Sequence, residues 1–202
     1  MSARIEAVNY ALQYLGEQPI TSLDDDSDRA LTMKSFYYIA RDAVLEDANW
    51  TFATKRFTPA RNAVDPEWGW NYSYTIPSDI VRVTTVLRDW GSSSVAGIGY
   101  YDFPNEMKSA HVIEGNEILS NDEPIYCLGV RTMEDEGNYS PLFMEAFAAK
   151  LAYLAALPIT ASMQKQQAAL ALHTGLIRSA KTRDGQQNTT RRFRSRWLEQ
   201  SR

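Results

Sequence analysis

Two histidines, His111 and His173, and one cysteine, Cys127, are the whole supply of imidazole and thiol ligands in this 202-residue chain. A zinc site of the usual Cys/His kind needs more than these can offer, so each of the three reads as a structural or surface residue. One cysteine also precludes an internal disulfide, which makes a reducing compartment the expectation. Carboxylates are plentiful. Asp24, Asp25, Asp26 and Asp28 crowd together, but a calcium loop begun at Asp24 needs glycine at its sixth position and glutamate at its twelfth. Arg29 and Ser35 stand there instead. The run reads as negative charge favoured by the positive end of the helix that follows. Glu134, Asp135 and Glu136 could furnish a glycosidase pair. Nothing around them singles out two, and a solvated turn is the simpler reading. Gly97-x-Gly99 continues to Asp102 rather than to a third glycine, no G-x-x-x-x-G-K-[ST] occurs, and Gly91-Ser92-Ser93-Ser94 lacks the setting of a nucleophile elbow. No enzyme, cofactor or metal is expected.

The end of the chain has the most unusual content. Residues 188–202 hold Arg191, Arg192, Arg194, Arg196 and Arg202 against one acid, Glu199, with Phe193 and Trp197 between them. The remainder keeps 16 basic and 24 acidic side chains, so a basic arm of net +4 follows an acidic body of net −8. Arginine interleaved with aromatics can grip phosphates and stack on bases. The same residue types anchor protein–protein interfaces. Protein partner, nucleic acid and a solvated, disordered end all remain open for the arm on composition alone.

Positioning such residues requires a scaffold, and the hydrophobic spacing supplies one. Ile5, Val8, Leu12 and Leu15 predict a helix over 3–15, capped by Ser2 and ended at Gly16. Met33, Phe36, Tyr37, Ala40, Ala43, Val44 and Ala48 form the apolar stripe of a second helix reaching Asp47, with Arg41, Asp42, Glu46 and Asp47 on its wet side. From Trp50 and Phe52 the period changes to that of an extended segment, and these two aromatics are expected to pin the junction of two lobes. Over 52–131 short β segments follow: 70–76, 81–87, 100–103, 111–114, 117–119 and 125–130. Gly115-Asn116 makes a two-residue hairpin. Ser140-Pro141 opens a third helix that Pro158 is expected to end, and a Gln- and Ala-rich fourth helix spans about 163–183 with a thin apolar stripe. The expected fold is α+β: a helical bundle of 1–50 with 138–187, an antiparallel β lobe of sandwich or barrel type inserted at 51–137, and the arm 188–202. The apolar window 142–161 contains Glu145, Lys150 and Pro158 and is rejected as a membrane span. The N-terminus has no apolar signal region, so a cytoplasmic protein is expected.

Five blocks carry a resemblance: VNYALQYLGEQPITSLD (8–24), RDAVLEDANWTFA (41–53), WGWNYSYTIP (68–77), NDEPIY (121–126) and PLFMEAFAAKLA (141–152). In this order and spacing the chain resembles the head–tail adaptors of short-tailed bacteriophages, the tail tubular protein A family, over about residues 4–185. The resemblance implies a non-enzymatic virion protein assembled in the host cytoplasm. It implies a dodecameric connector ring of identical subunits, bound to the portal protein on one side and to the tail nozzle, a tail tubular protein B-like ring, on the other. Genomic DNA would pass through the channel during ejection without specific binding, and no membrane is involved. The arm lies outside the matching blocks. Its assignment to portal binding through Arg191, Arg192, Phe193, Arg194, Arg196, Trp197 and Arg202 rests on its residue types. The alternative function is a nucleic-acid-binding module using the same arm.

Overall fold

Helix α3 (Pro141–Thr160) is apolar nearly all round, burying Phe143, Phe147, Leu151 and six alanines. A helix of that kind has to be enclosed, and in the computed structural model, which describes residues 3–88 and 107–186, three others pack on it: α1 (Ala3–Tyr14), α2 (Asp28–Glu46) and α4 (Met163–Gly185). By length and composition α3 would also pass as a membrane span. Its enclosure in the bundle accounts for that apolarity. The fold is α+β, with four α-helices and six strands among the described residues, the strands forming two three-stranded antiparallel sheets.

Local chemistry sets the helix ends. The Ser27 hydroxyl accepts from the Ala30 amide at the start of α2, and Ser140 does the same from Phe143 at the start of α3 with proline at the first helical position. Gly16 takes a φ of +69° just past α1, the left-handed conformation that suits glycine at a helix end. Pro158 does not terminate α3. The helix runs to Thr160, and Ala161, in the left-handed region at φ 49°, closes it by donating to the Leu157 carbonyl at 2.9 Å. Pro158 forfeits one backbone bond, and the helix nevertheless continues through Thr160, its body held by the buried residues Phe143 to Ala156.

The chain folds into two compact units. The first comprises Met1–Lys55, Ser78–Thr84 and Gly129–Gly185, and the second Arg56–Pro77 with Thr85–Leu128 in their described parts. A single insertion over 51–137 is therefore too simple. Phe52, Ala53, Val130 and Met133 belong to the helical core, which draws their segments into the first unit. The expected extended run from Trp50 also begins later. Thr51–Ala53 is a 3-10 turn, and β1 is Thr54–Phe57. β1, β6 (Tyr126–Arg131) and β3 (Ile80–Leu87) form one sheet with β6 central, and the unit boundary falls within each of these strands.

The other sheet belongs to the second unit: β2 (Tyr72–Thr75), β5 (Glu117–Ser120) and β4 (His111–Glu114), in that order. The hairpin is where the Gly-Asn pair places it. Glu114 faces Glu117, and Gly115 has φ +57°. On one face of this sheet Tyr74 and Ile118 are buried opposite each other. Ser2, the segments expected at 91–94 and 100–103, and the arm 188–202 lie outside the described residues.

Candidate functional site

Glu136 departs furthest from expectation. Read as part of a solvated turn, it is 8% exposed, on a 3-10 turn (Glu136–Asn138) that leads into α3. Its Oε1 accepts from the Tyr37 hydroxyl at 2.9 Å and from Arg4 Nε at 3.0 Å. Arg4 lies over the Tyr37 ring at 5.3 Å and the Tyr38 ring at 5.7 Å. Arg41, expected on the wet side of α2, is 5% exposed. It lies over Tyr38 at 5.0 Å and pairs with Asp42 at 2.8 Å. Burial, reinforced by the charge and hydrogen bond of Glu136, raises the Tyr37 hydroxyl well above the ordinary phenol range. Burial opposes the charge of Arg4, but the hydrogen bond and charge of Glu136 outweigh it and raise the guanidinium. These groups have satisfied one another and none faces a nucleophile, so the chemistry of the cluster is cross-linking. It ties the turn before α3 to α1 and α2.

A second lock involves residues that no motif marks. Asp184, in the last turn of α4 and 7% exposed, accepts from the Thr51 amide at 3.0 and 3.2 Å and from the Thr51 hydroxyl at 2.7 Å. Beside it the expected junction residues meet in the core of the first unit. Trp50 is fully buried, its indole N–H donating to the Val44 carbonyl at 2.9 Å. Its ring lies 4.9 Å edge-on from Phe143, and Phe52 lies 4.9 Å from the same phenylalanine.

The aspartate run divides its labour. Asp25 accepts from the Thr21 and Ser22 amides, Asp24 pairs with Lys34 at 2.7 Å, and only Asp28 lies in the first turn of α2. Among the described residues no group of His, Cys, Asp and Glu could hold a metal ion. His173 Nδ1 lies 2.9 Å from the Ala146 carbonyl, and burial lowers its pKa. His111 is exposed, its Nδ1 2.9 Å from the Ser109 carbonyl. Cys127 is buried, with its thiol pushed up to about 12 by desolvation.

The second unit presents a different kind of site. The chain from Val64 to Trp70 folds back over the sheet face that carries Ser73, Glu114, Glu117 and Leu119. A cleft of about 440 Å³ lies between them. Asn62 holds the fold-back in place, its amide donating to the Ser73 carbonyl at 2.9 Å and its side chain to the Ser73 hydroxyl at 3.0 Å. Ser73 in turn donates to the Val64 carbonyl at 3.2 Å. Gly69, at φ +87°, makes the turn between Trp68 and Trp70. Trp68 is 84% exposed and Val64 79%. Sequence alternation begins a strand at Trp70, but β2 starts only at Tyr72, and nothing in the alternation reveals that Trp68 is left uncovered.

Arg191, Arg192, Phe193, Arg194, Arg196, Trp197 and Arg202 lie outside the described residues, so the structure brings none of them to any site. The chain matches no family model and no curated protein sequence.

Proposed function

We propose that the chain is one subunit of a head-to-tail adaptor ring in a virion, joining the portal to the tail nozzle and bordering the channel through which DNA leaves. The observation that carries the reading is where the resembling blocks fall. Asn9, in the first block, clamps the loop after α1 by donating to the Ile20 carbonyl at 3.1 Å and accepting from its amide at 2.9 Å. Trp50, in the second, occupies the core at the end of α2. Tyr74, in the third, donates to the Asp122 carbonyl in the fourth at 2.8 Å, and Phe143 and Phe147 of the fifth form the centre of the bundle. Blocks that build the corners of one fold are what shared ancestry of architecture would preserve in order.

A closed ring needs two different, complementary surfaces on each subunit. The first unit offers candidates on separate helices: Tyr10 and Tyr14 on α1, and Met163, Leu170 and Leu172 on α4, all exposed. No catalytic role enters the proposal.

Mixed with isolated portal rings, the full chain should add as a second ring, visible in low-resolution electron micrographs and as a mass increment of a fixed number of copies. Addition of scattered single copies, or of none, overturns the reading. Deleting residues 188–202 should leave the chain folded and abolish capture by immobilised portal. Undiminished capture would show that the arm is not the portal anchor.

A further inference from the structure

The cleft of the second unit combines two features that a solvated surface normally avoids. Glu114 and Glu117 stand directly opposite each other in the β4–β5 ladder, on the face that floors the cleft. Like charges in that position destabilise a hairpin. With Glu67 they have no ion-pair partner among the described residues. The neighbouring Asp65 and Glu123, by contrast, are held by Arg61 at 2.8 and 3.1 Å. Trp68, 84% exposed, and Trp70 line the same cleft as these three carboxylates. An exposed indole in one cleft with carboxylates that lack an ion-pair partner among the described residues suits a planar cation. Tryptophan is the best of the aromatic partners for a cation, and guanidinium can stack on a ring while its edge bonds carboxylates, which ammonium cannot.

We propose that this cleft receives the arginine-rich segment 188–202 of the chain itself, with arginine side chains held between Trp68 and the carboxylates of Glu67, Glu114 and Glu117. Charge complementarity selects this occupant, because the segment carries +4 and the rest of the chain −8. Phe193 and Trp197 supply apolar surface of the kind that would cover Val64, which is 79% exposed. The cleft is of the size that takes one or two side chains. Its unpaired acids repel the phosphates of a nucleic acid. The proposal does not depend on the adaptor reading. If both hold, portal and cleft compete for one arm.

The test uses the full chain with p-benzoylphenylalanine replacing Phe193, irradiated alone and digested with trypsin. Adducts on the peptide 62–82, which carries Trp68 and Trp70, or on 109–131, which carries Glu114 and Glu117, support the docking. Adducts confined to other peptides, or no adduct, overturn it. Glu114→Lys with Glu117→Lys should lower the yield about tenfold, as should raising the salt to about 1 M, where charge attraction is screened within ~3 Å. A yield unchanged by both treatments also overturns it. Should the charge reversal unfold the chain, as judged by circular dichroism, Glu114→Gln with Glu117→Gln gives the same reading with a smaller fall.

Discussion

The first unit and the second unit solve burial in opposite ways. In the first, a central helix is enclosed by three others, and even the polar groups are turned inward: Glu136, Arg41 and Asp184 are all buried against named partners. In the second, β4 is exposed along its whole length, Trp68 stands in solvent, and Glu67, Glu114 and Glu117 in its cleft have no ion-pair partner among the described residues. Its small cluster of Leu87 and Leu128 is supplemented by single buried residues such as Tyr74 and Ile118. The first unit buries Trp50, Tyr37, Phe143 and Phe147 completely or nearly so, whereas the second leaves Trp68 84% exposed.

The comparison breaks most decisively at Trp50. Trp50→Ala should cost about 3–5 kcal/mol in equilibrium denaturation, because it empties an enclosed site and orphans the Val44 carbonyl. A loss near zero would mean that the first unit is not the rigid one. Next in size is Asp184→Ala, which removes the hydrogen bonds that the Thr51 amide and hydroxyl donate to the carboxylate. A hydrogen bond to a buried charge contributes about 1.5–3 kcal/mol, and a loss of that order is expected in the same measurement, with Asp184→Asn recovering part of it.

Acid supplies a third, smaller probe. Burial lowers the pKa of His173 from its ordinary 6.5, so the unfolded chain binds the proton more readily. The stabilisation is fully present above 6.5 and is lost as pH falls towards the folded value. Melting temperature should therefore drop on acidification through this range, and less so in His173→Gln; parallel pH profiles would remove His173 as the cause. Smallest of all is Trp68→Ala, expected within about 0.5 kcal/mol of the parent because the ring is exposed. A large loss there would show that Trp68 is structural and the second unit less of a display surface than its geometry indicates.

Much of the first unit was legible because its signals are local. Ser140 caps a helix, Gly16 ends one, and the stripe through Met33, Tyr37, Ala40 and Val44 is buried as its spacing requires. Gly115 likewise announces its hairpin. Glu136, Arg41 and Asp184 were not legible. A charged residue in a turn or on a helix edge looks the same whether water or a distant side chain satisfies it. The partners here lie far off in sequence: Glu136 meets Arg4 and Tyr37, and Asp184 meets Thr51. Pro158 misled for a related reason, since the packing of α3 outweighs one missing backbone bond.

By itself the sequence determined the α+β class, the four helices, the hairpin and the poverty of catalytic ligands, since periodicity, caps and residue counts act over a few positions. Only the tertiary structure decided which charges are buried and that a fold-back held by Asn62 brings Trp68 to the cleft that Glu114 and Glu117 line. Desolvation and long-range pairing depend on what the rest of the chain brings alongside, and no local pattern encodes that.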